Sequence, residues 1–381
     1  MKTAAIICEY NPFHNGHKFH IEETRRKTGA DSVIAIMSGN FVQRGDIAVF
    51  DKSIRAKAAI LGGADLVIEL PALYSSASAE FFAYNAVKIL NSLGTVDFLS
   101  FGAETLDPCQ ITQIAKFLAE EPSEFSDKMK HYFSEGLSFP AARSKALSEF
   151  WGTEAEKIIS TPNNILGIEY AKALYLTNSS ISPCPILRKG TDHDSTLTSG
   201  DIASATYIRD LIQKNQWPNF KNFIPDFAAG LFSEARVHSI KSLEKAILCE
   251  LIKAPTDRLK SISDVSEGLE NRLKEAALTS RTLEELIDKV KTKRYTHSRI
   301  RRIVLSAYLG ITKELRQTPP QYIKILEHNG VGQKIIAHAK KSATLPIVRN
   351  TSQVNKLKNP FIKNQWELER TFDSIYDMSV I

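Results

Sequence analysis

Short apolar runs alternate with amphipathic stretches through the first half of the chain. Residues 3–8 (Thr-Ala-Ala-Ile-Ile-Cys) form an unbroken apolar run, the pattern of a strand buried on both faces. The run ends before Asn11-Pro12, and a helix is expected from Asn15 to about Lys27. Residues 32–37, 65–70 and 96–101 repeat the strand pattern and stop at Ser38-Gly39-Asn40, Pro71 and Gly102. One intervening helix is capped by Asp51 and stopped at Gly62-Gly63, and another runs from about Ser78 to Leu93. Strands alternating with helices predict a parallel sheet with right-handed crossovers. Ligands of such sheets bind outside the carboxyl ends of the strands. That places the loops 9–17, 38–46, 71–78 and 102–105 on one rim. A helical insertion at about 108–178, a fifth strand over 184–188 and a helix over 203–214 complete the expected unit. The fold class expected is α/β, a Rossmann-like parallel sheet of about five strands.

Beyond Trp217-Pro218 the strand signals fade. Helical periods appear around 226–236, 242–253, 266–277, 282–290 and 297–309. The stretch after Gly330 carries short apolar segments without a clear period. A division into residues 1–218 and a mainly α-helical C-terminal domain, 219–381, is therefore expected. Charge sharpens this division. Residues 1–215 hold 21 basic and 25 acidic side chains, whereas 216–381 hold 28 and 18. The second part suits a polyanion.

Composition adds exclusions. With 43% hydrophobic and 24% charged residues the chain is neither disordered nor collagen-like. No apolar run reaches eighteen residues, so no membrane helix is expected. The N-terminal apolar run is too short for a signal peptide and lacks a cleavage site. Cys8, Cys109, Cys184 and Cys249 form no CxxC pair, and no zinc spacing occurs. A reduced, cytoplasmic protein with buried thiols and no metal site of its own is expected.

The sharpest chemical signal is Asn11-Pro12-Phe13-His14-Asn15-Gly16-His17, an HxGH motif between the first strand and its helix. Gly16 lets a phosphate approach the backbone closely, and the N–H groups of a helix start favour an anion. Two histidines about a turn apart can stabilise the charge that develops when an α-phosphate is attacked and pyrophosphate leaves. A second signature lies at residues 202–209, Ile-Ala-Ser-Ala-Thr-Tyr-Ile-Arg. Ser204 and Thr206 can donate hydroxyl bonds at that helix start, and Arg209 can meet phosphates. Read alone, this would be a capped amphipathic helix.

The two motifs together resemble the HxGH nucleotidyltransferase superfamily, in which the second reads ISSTxIR. Residues 37–46 (Met-Ser-Gly-Asn-Phe-Val-Gln-Arg-Gly-Asp), 64–71 (Ala-Asp-Leu-Val-Ile-Glu-Leu-Pro), 162–167 (Pro-Asn-Asn-Ile-Leu-Gly) and 291–295 (Lys-Thr-Lys-Arg-Tyr) narrow the resemblance. They are similar to the bacterial tRNA(Met) cytidine acetate ligases, from residue 1 to about 310. The resemblance implies that ATP and acetate give acetyl-adenylate and pyrophosphate. The acetyl group then passes to N4 of the wobble cytidine of elongator tRNA(Met), leaving N4-acetylcytidine and AMP. It also implies an ATP site of Ile7, Cys8, Glu9, Tyr10, Asn11, Pro12, Phe13, His14, Asn15, Gly16, His17, Lys18, Phe19 and His20. Gly102, one of Asn163 and Asn164, and Arg188 join that site, with Ser204, Thr206 and Arg209 from the second motif. His14 and His17 are the expected catalytic pair. Mg²⁺ is expected to come with ATP, without evident protein ligands.

Three other groups of residues stay open. Gln43, Arg44 and Asp46 could hold acetate or a tRNA base, or be an ordinary surface loop. Asp192, His193 and Asp194 read as a polar loop, since spacing fixes no further metal ligand. Residues 289–302 carry seven basic side chains and no acid, with Tyr295 and His297 interleaved for stacking on bases. Lys291, Lys293, Arg294, Tyr295, Arg299 and Arg302 are the expected tRNA contacts. Residues 328–366 are likewise free of acids. No protein partner is evident. Two other functions compete: a small-molecule adenylyltransferase, against which the basic half argues, and a catalytically silent RNA-binding protein, against which the intact HxGH argues.

Overall fold

The structure, a computed structural model, describes residues 1–104, 108–188, 203–266 and 268–381. Among the described residues nine strands form: β1 (Thr3–Cys8), β2 (Ser32–Ser38), β3 (Phe41–Val42), β4 (Asp46–Ile47), β5 (Leu66–Leu70), β6 (Phe98–Ala103), β7 (Ser182–Leu187), β8 (Ile323–His328) and β9 (Ile347–Val348). Seven of them build one sheet in the order β7-β6-β1-β2-β5-β8-β9. The β7–β5 part is parallel throughout, with β1 central and in register with β2 from Thr3↔Ser32 to Cys8↔Met37. All residues of β2 and β5 are buried, which is why their sequences are mainly apolar rather than alternating, with buried Glu69 the one charged residue.

The sheet has seven strands where about five were expected. The two extra strands come from the tail, where β8 pairs antiparallel with β5 and β9 pairs with β8. In β8 only Ile323 and Ile325 are buried; Lys324 and the last three residues, Leu326, Glu327 and His328, are half-buried. So half-polar a strand gives a weak periodic signal within a helical half. The tail is fastened to β5 by backbone proximity. Asn329 caps the helix Gly330–Ser342 and also donates to Asp65 Oδ1 at 2.9 Å. A Cβ on Gly332 would lie 2.0 Å from the Asp65 carbonyl oxygen, so only glycine lets the two segments meet.

Helices cover both faces. The insertion supplies five, Pro108–Glu120, Ser123–Ser134, Phe139–Trp151, Thr153–Ser160 and Pro162–Leu176, which pack with Ala79–Leu93 on one face. The helices Asn15–Thr28, Lys52–Leu61 and Ala205–Gln213 pack on the other. A separate apolar cluster running from Leu243 to Ala307 holds the basic helical part together.

A buried charge network pins the last helix, Pro360–Asp377, to the sheet. Lys52 Nζ lies 2.5 Å from Glu69 and 2.6 Å from Asp373, and Lys324 Nζ lies 2.6 Å from Glu69. Burial would raise the Glu69 carboxyl, but Lys324 and Lys52 outweigh it and hold it low. Glu369 takes backbone N–H bonds from Ala72 and Leu73. Burial, aided by the nearby Glu69 charge, pushes its carboxyl up to about 7. None of the four cysteines is in a disulfide, and Cys109 and Cys249 are exposed rather than buried as expected. Among the described residues no helix is long and apolar enough to cross a membrane.

Candidate active site

β1 ends at Cys8 and the chain turns through Tyr10, at φ 46°, into His14, which caps the helix Asn15–Thr28. The two histidines close a reciprocal cap. His14 Nδ1 accepts from the Gly16 N–H at 3.1 Å, and His17 Nδ1 accepts from the His14 N–H at 3.2 Å. Their rings stack with centroids 3.6 Å apart. An Nδ1 that accepts carries no proton, so each neutral ring bears its proton on Nε2 and is a donor there. The first turn of this helix holds no acidic residue and its last turn holds Arg25, Arg26 and Lys27. The N-terminal end therefore keeps its full attraction for an anion.

Two arginines brace the loop. Arg55 is fully buried and donates to the carbonyls of Glu9, Ser38, Gly39 and Phe50, tying the loops after β1 and β2 into one rim. Arg209 donates to the Asn11 carbonyl at 3.0 Å and to Thr206 Oγ1 at 3.1 Å. Ser204 caps its helix by accepting from the Tyr207 N–H at 3.1 Å. The second motif thus reaches the first.

These elements enclose a cavity of about 730 Å³ at the carboxyl ends of β1, β6 and β7. Of the expected nucleotide residues, Ile7, Cys8, Glu9, Tyr10, Asn11, His14, Gly16, His17, Phe19, His20, Gly102, Asn163, Arg188 and Arg209 line it. The others stand behind or outside it. Pro12 and Phe13 are buried, the latter in the apolar layer beneath the loop. Asn15 reaches the Asn222 carbonyl, and Lys18 is exposed near Glu22. Ser204 and Thr206 do not line the cavity; they cap the Arg209 helix and accept from Arg209 respectively. Asn163 and Asn164 separate clearly. Asn163 borders the cavity and donates to the Glu104 carboxylate, whereas buried Asn164 accepts from the Glu104 N–H at 2.8 Å. Gly102 lies within β6 rather than after it, with the Arg188 methylenes over it; a Cβ would meet Arg188 Cγ at 3.2 Å.

Titration follows the surroundings. Burial, with the Arg188 charge, pulls His20 down to about 4, so it stays neutral; its Nε2 lies 3.0 Å from Ser100 Oγ. Burial raises Glu9 above the ordinary carboxylate range, against the Gln43 N–H bond to it. Burial likewise raises Asp46, which sits in β4 away from the cavity wall, while Gln43 and Arg44 line it. Asp192, His193 and Asp194 fall outside the described residues.

The basic segment arrives differently than its sequence suggests. Thr296, His297, Ser298 and Arg302, at the start of the helix His297–Leu309, line the same cavity. Gly45, at φ 73° in the β3–β4 turn, makes this possible: a Cβ there would lie 2.4 Å from Arg302 N. Lys291, Lys293 and Arg294 are exposed. Tyr295 is buried instead of offered for stacking; Arg299 lies over its ring at 5.0 Å and donates to the Asp264 carbonyl. The Arg302 side chain is only 11% exposed, 3.7 Å from Asp264, and burial lowers its pKa. Contacts of this kind, and those of Arg143, Glu169 and Tyr170 from the insertion, depend on tertiary packing and left no mark in the local pattern.

A parallel sheet whose central strand opens into two stacked histidines at a helix start, braced by an arginine from a later helix, is the architecture of a nucleotidyl transferase. The HIGH Nucleotidyl Transferase family matches residues 1–380. Among curated relatives, the tRNA(Met) cytidine acetate ligase of Acetivibrio thermocellus is 41% identical, covering 99% of this chain and 95% of its own. That of Thermoanaerobacter sp. strain X514 is 43% identical over 94% and 91%. The apo crystal structure of Thermotoga maritima TmcAL superposes with a TM-score of 0.93 at 32% identity, covering 100% of this chain and 95% of that one. A second crystal structure of that protein, bound with alpha-thio ATP, gives 0.91. The chain belongs to the tRNA(Met) cytidine acetate ligase family of HIGH nucleotidyl transferases.

Proposed function

We propose that the protein joins acetate to ATP and passes the acetyl group to N4 of the wobble cytidine of elongator tRNA(Met). The observation that carries this reading is the reciprocal cap of His14 and His17, which fixes both Nε2 protons at a helix start on the cavity wall. In the first step an acetate oxygen attacks the α-phosphorus and pyrophosphate leaves. Acetate is already ionised near neutral pH, so no base is needed. His14 and His17 donate to the oxygens on which charge grows, the helix start adds its field, and Arg209 holds the phosphate end. In the second step the cytidine N4 lone pair attacks the acyl carbon, the bond to AMP breaks and N4 loses a proton. An exocyclic amine is a weak nucleophile, which is why an activated acyl donor is required.

Mg²⁺ would enter with the nucleotide; among the described residues no group of three or more ligand-type side chains is gathered to hold it. The substrate tRNA points to the cytoplasm. Lys291, Lys293 and Arg294 are the surface through which the basic part would hold tRNA, while Arg302 acts from inside the cavity. A cofactor adenylyltransferase would have no use for an acid-free segment that runs into the cavity. The test is pyrophosphate release with acetate and ATP, followed by acetyl transfer to tRNA(Met). Release without acetate dependence, or with acetate but no transfer to tRNA, would overturn the reading.

A further inference from the structure

Two of the exposed aromatic rings on the helical insertion lie side by side. Phe133 and Phe139, at the facing ends of Ser123–Ser134 and Phe139–Trp151, are 37% and 48% exposed. Their rings lie 23° from parallel with centroids 6.1 Å apart. Large apolar rings exposed side by side mark a binding surface more often than a fold requirement.

Their neighbours are cationic. The Arg143 guanidinium stands 5.7 Å from the Phe139 centroid and is held by a hydrogen bond to buried Glu169. Arg294 donates to the Phe133 carbonyl oxygen at 3.4 Å, which brings the acid-free segment with exposed Lys291 and Lys293 to the same corner. Phe139 and Pro140 border the mouth of the catalytic cavity.

We propose that Phe133 and Phe139 form a stacking shelf for an unpaired nucleobase next to the cytidine that enters the cavity. This rests on the reading of an RNA substrate given above. A cytidine whose N4 must reach an acyl carbon inside the cavity leaves its stack, and its neighbours lose a partner ring. A flat apolar platform flanked by cations matches a base and its phosphates.

The test is direct binding of unmodified tRNA(Met) to the full chain by fluorescence anisotropy. Phe133→Ala and Phe139→Ala should each weaken it about 5- to 150-fold, the range for one stacked base. Phe139→Trp should restore affinity, and Phe139→Leu, apolar but not planar, should not. Acetate-dependent pyrophosphate release without tRNA should stay at the parent level in Phe133→Ala, whose ring does not border the cavity. Unchanged affinity in both alanine variants overturns the shelf, as does equal rescue by Leu and Trp. A parent dimer that the substitutions split, with affinity per site unchanged, would mark the patch as a contact between copies and also overturn it. A parent that makes acetyl-adenylate but acetylates no tRNA would instead overturn the functional reading.

Discussion

Replacing His14 separates its two jobs. Its Nδ1 caps the helix by accepting from Gly16, and its Nε2–H is the proposed donor to the α-phosphate. In His14→Ala both are lost. The missing donor costs about 2.7–4 kcal/mol at the transition state, a fall of roughly 10²- to 10³-fold in adenylation. The missing cap costs about 1 kcal/mol of stability, and the ring stacked on His17 is removed with it. In His14→Asn the side-chain oxygen can keep the cap, because Asn is among the best N-cap residues. Its amide stops short of the Nε2 position. Adenylation should therefore fall as far as in the alanine variant, while the cap's share of stability is kept. Single-turnover pyrophosphate release with acetate reads the first quantity, and urea unfolding reads the second. A stable His14→Asn enzyme working within about threefold of the parent would refute the assignment of Nε2 as the donor.

Three further outcomes are expected. Glu369 binds its proton more tightly folded, at about 7, than at its ordinary 4.5, so its contribution to stability falls as pH rises between those values. Glu369→Gln should remove that slope and unfold at higher urea than the parent at pH 8 but not at pH 5; equal differences at both pH values would contradict it. Neutralising Lys291 and Lys293 should lower the salt slope of tRNA binding by about 0.7–0.9 per lost phosphate contact, with adenylation unchanged; an unchanged slope would make them mere solvated charges. Gly45→Ala combines a left-handed φ with a 2.4 Å approach to Arg302 N, so it should push the helix His297–Leu309 off the β3–β4 turn. Stability should drop by more than the ~1 kcal/mol of the backbone term alone, and acetyl transfer with it, as urea unfolding and single-turnover transfer would show.

Elements whose signal is local were legible. The buried strands announce themselves as apolar runs, Asp51 caps the helix it was expected to cap, the helix expected from about Ser78 starts there, and His14 begins its helix. The candidate nucleotide loop was legible as a strand-to-helix turn because its motif lies in consecutive residues. What escaped depends on distant segments meeting. Strand β8 is defined by its pairing with β5 rather than by its own composition. Tyr295 reads as a stacking residue until the cluster around it forms and buries it. Arg302 reads as one more surface charge until Gly45 admits its backbone to the rim.

The pairing of β5 with β8 also has a consequence in time. More than 250 residues separate the two strands, and the whole basic helical part lies between them. At ordinary synthesis rates the outer edge of β5, Leu-Val-Ile-Glu-Leu, waits roughly 10–50 s for the strand that covers it. During that interval it is an open apolar edge, the kind that pairs with other chains. The adenylating sheet is therefore closed only after the helices proposed to hold RNA have been made. A growing chain cannot finish the sheet that carries the HxGH loop ahead of the basic helices that precede β8.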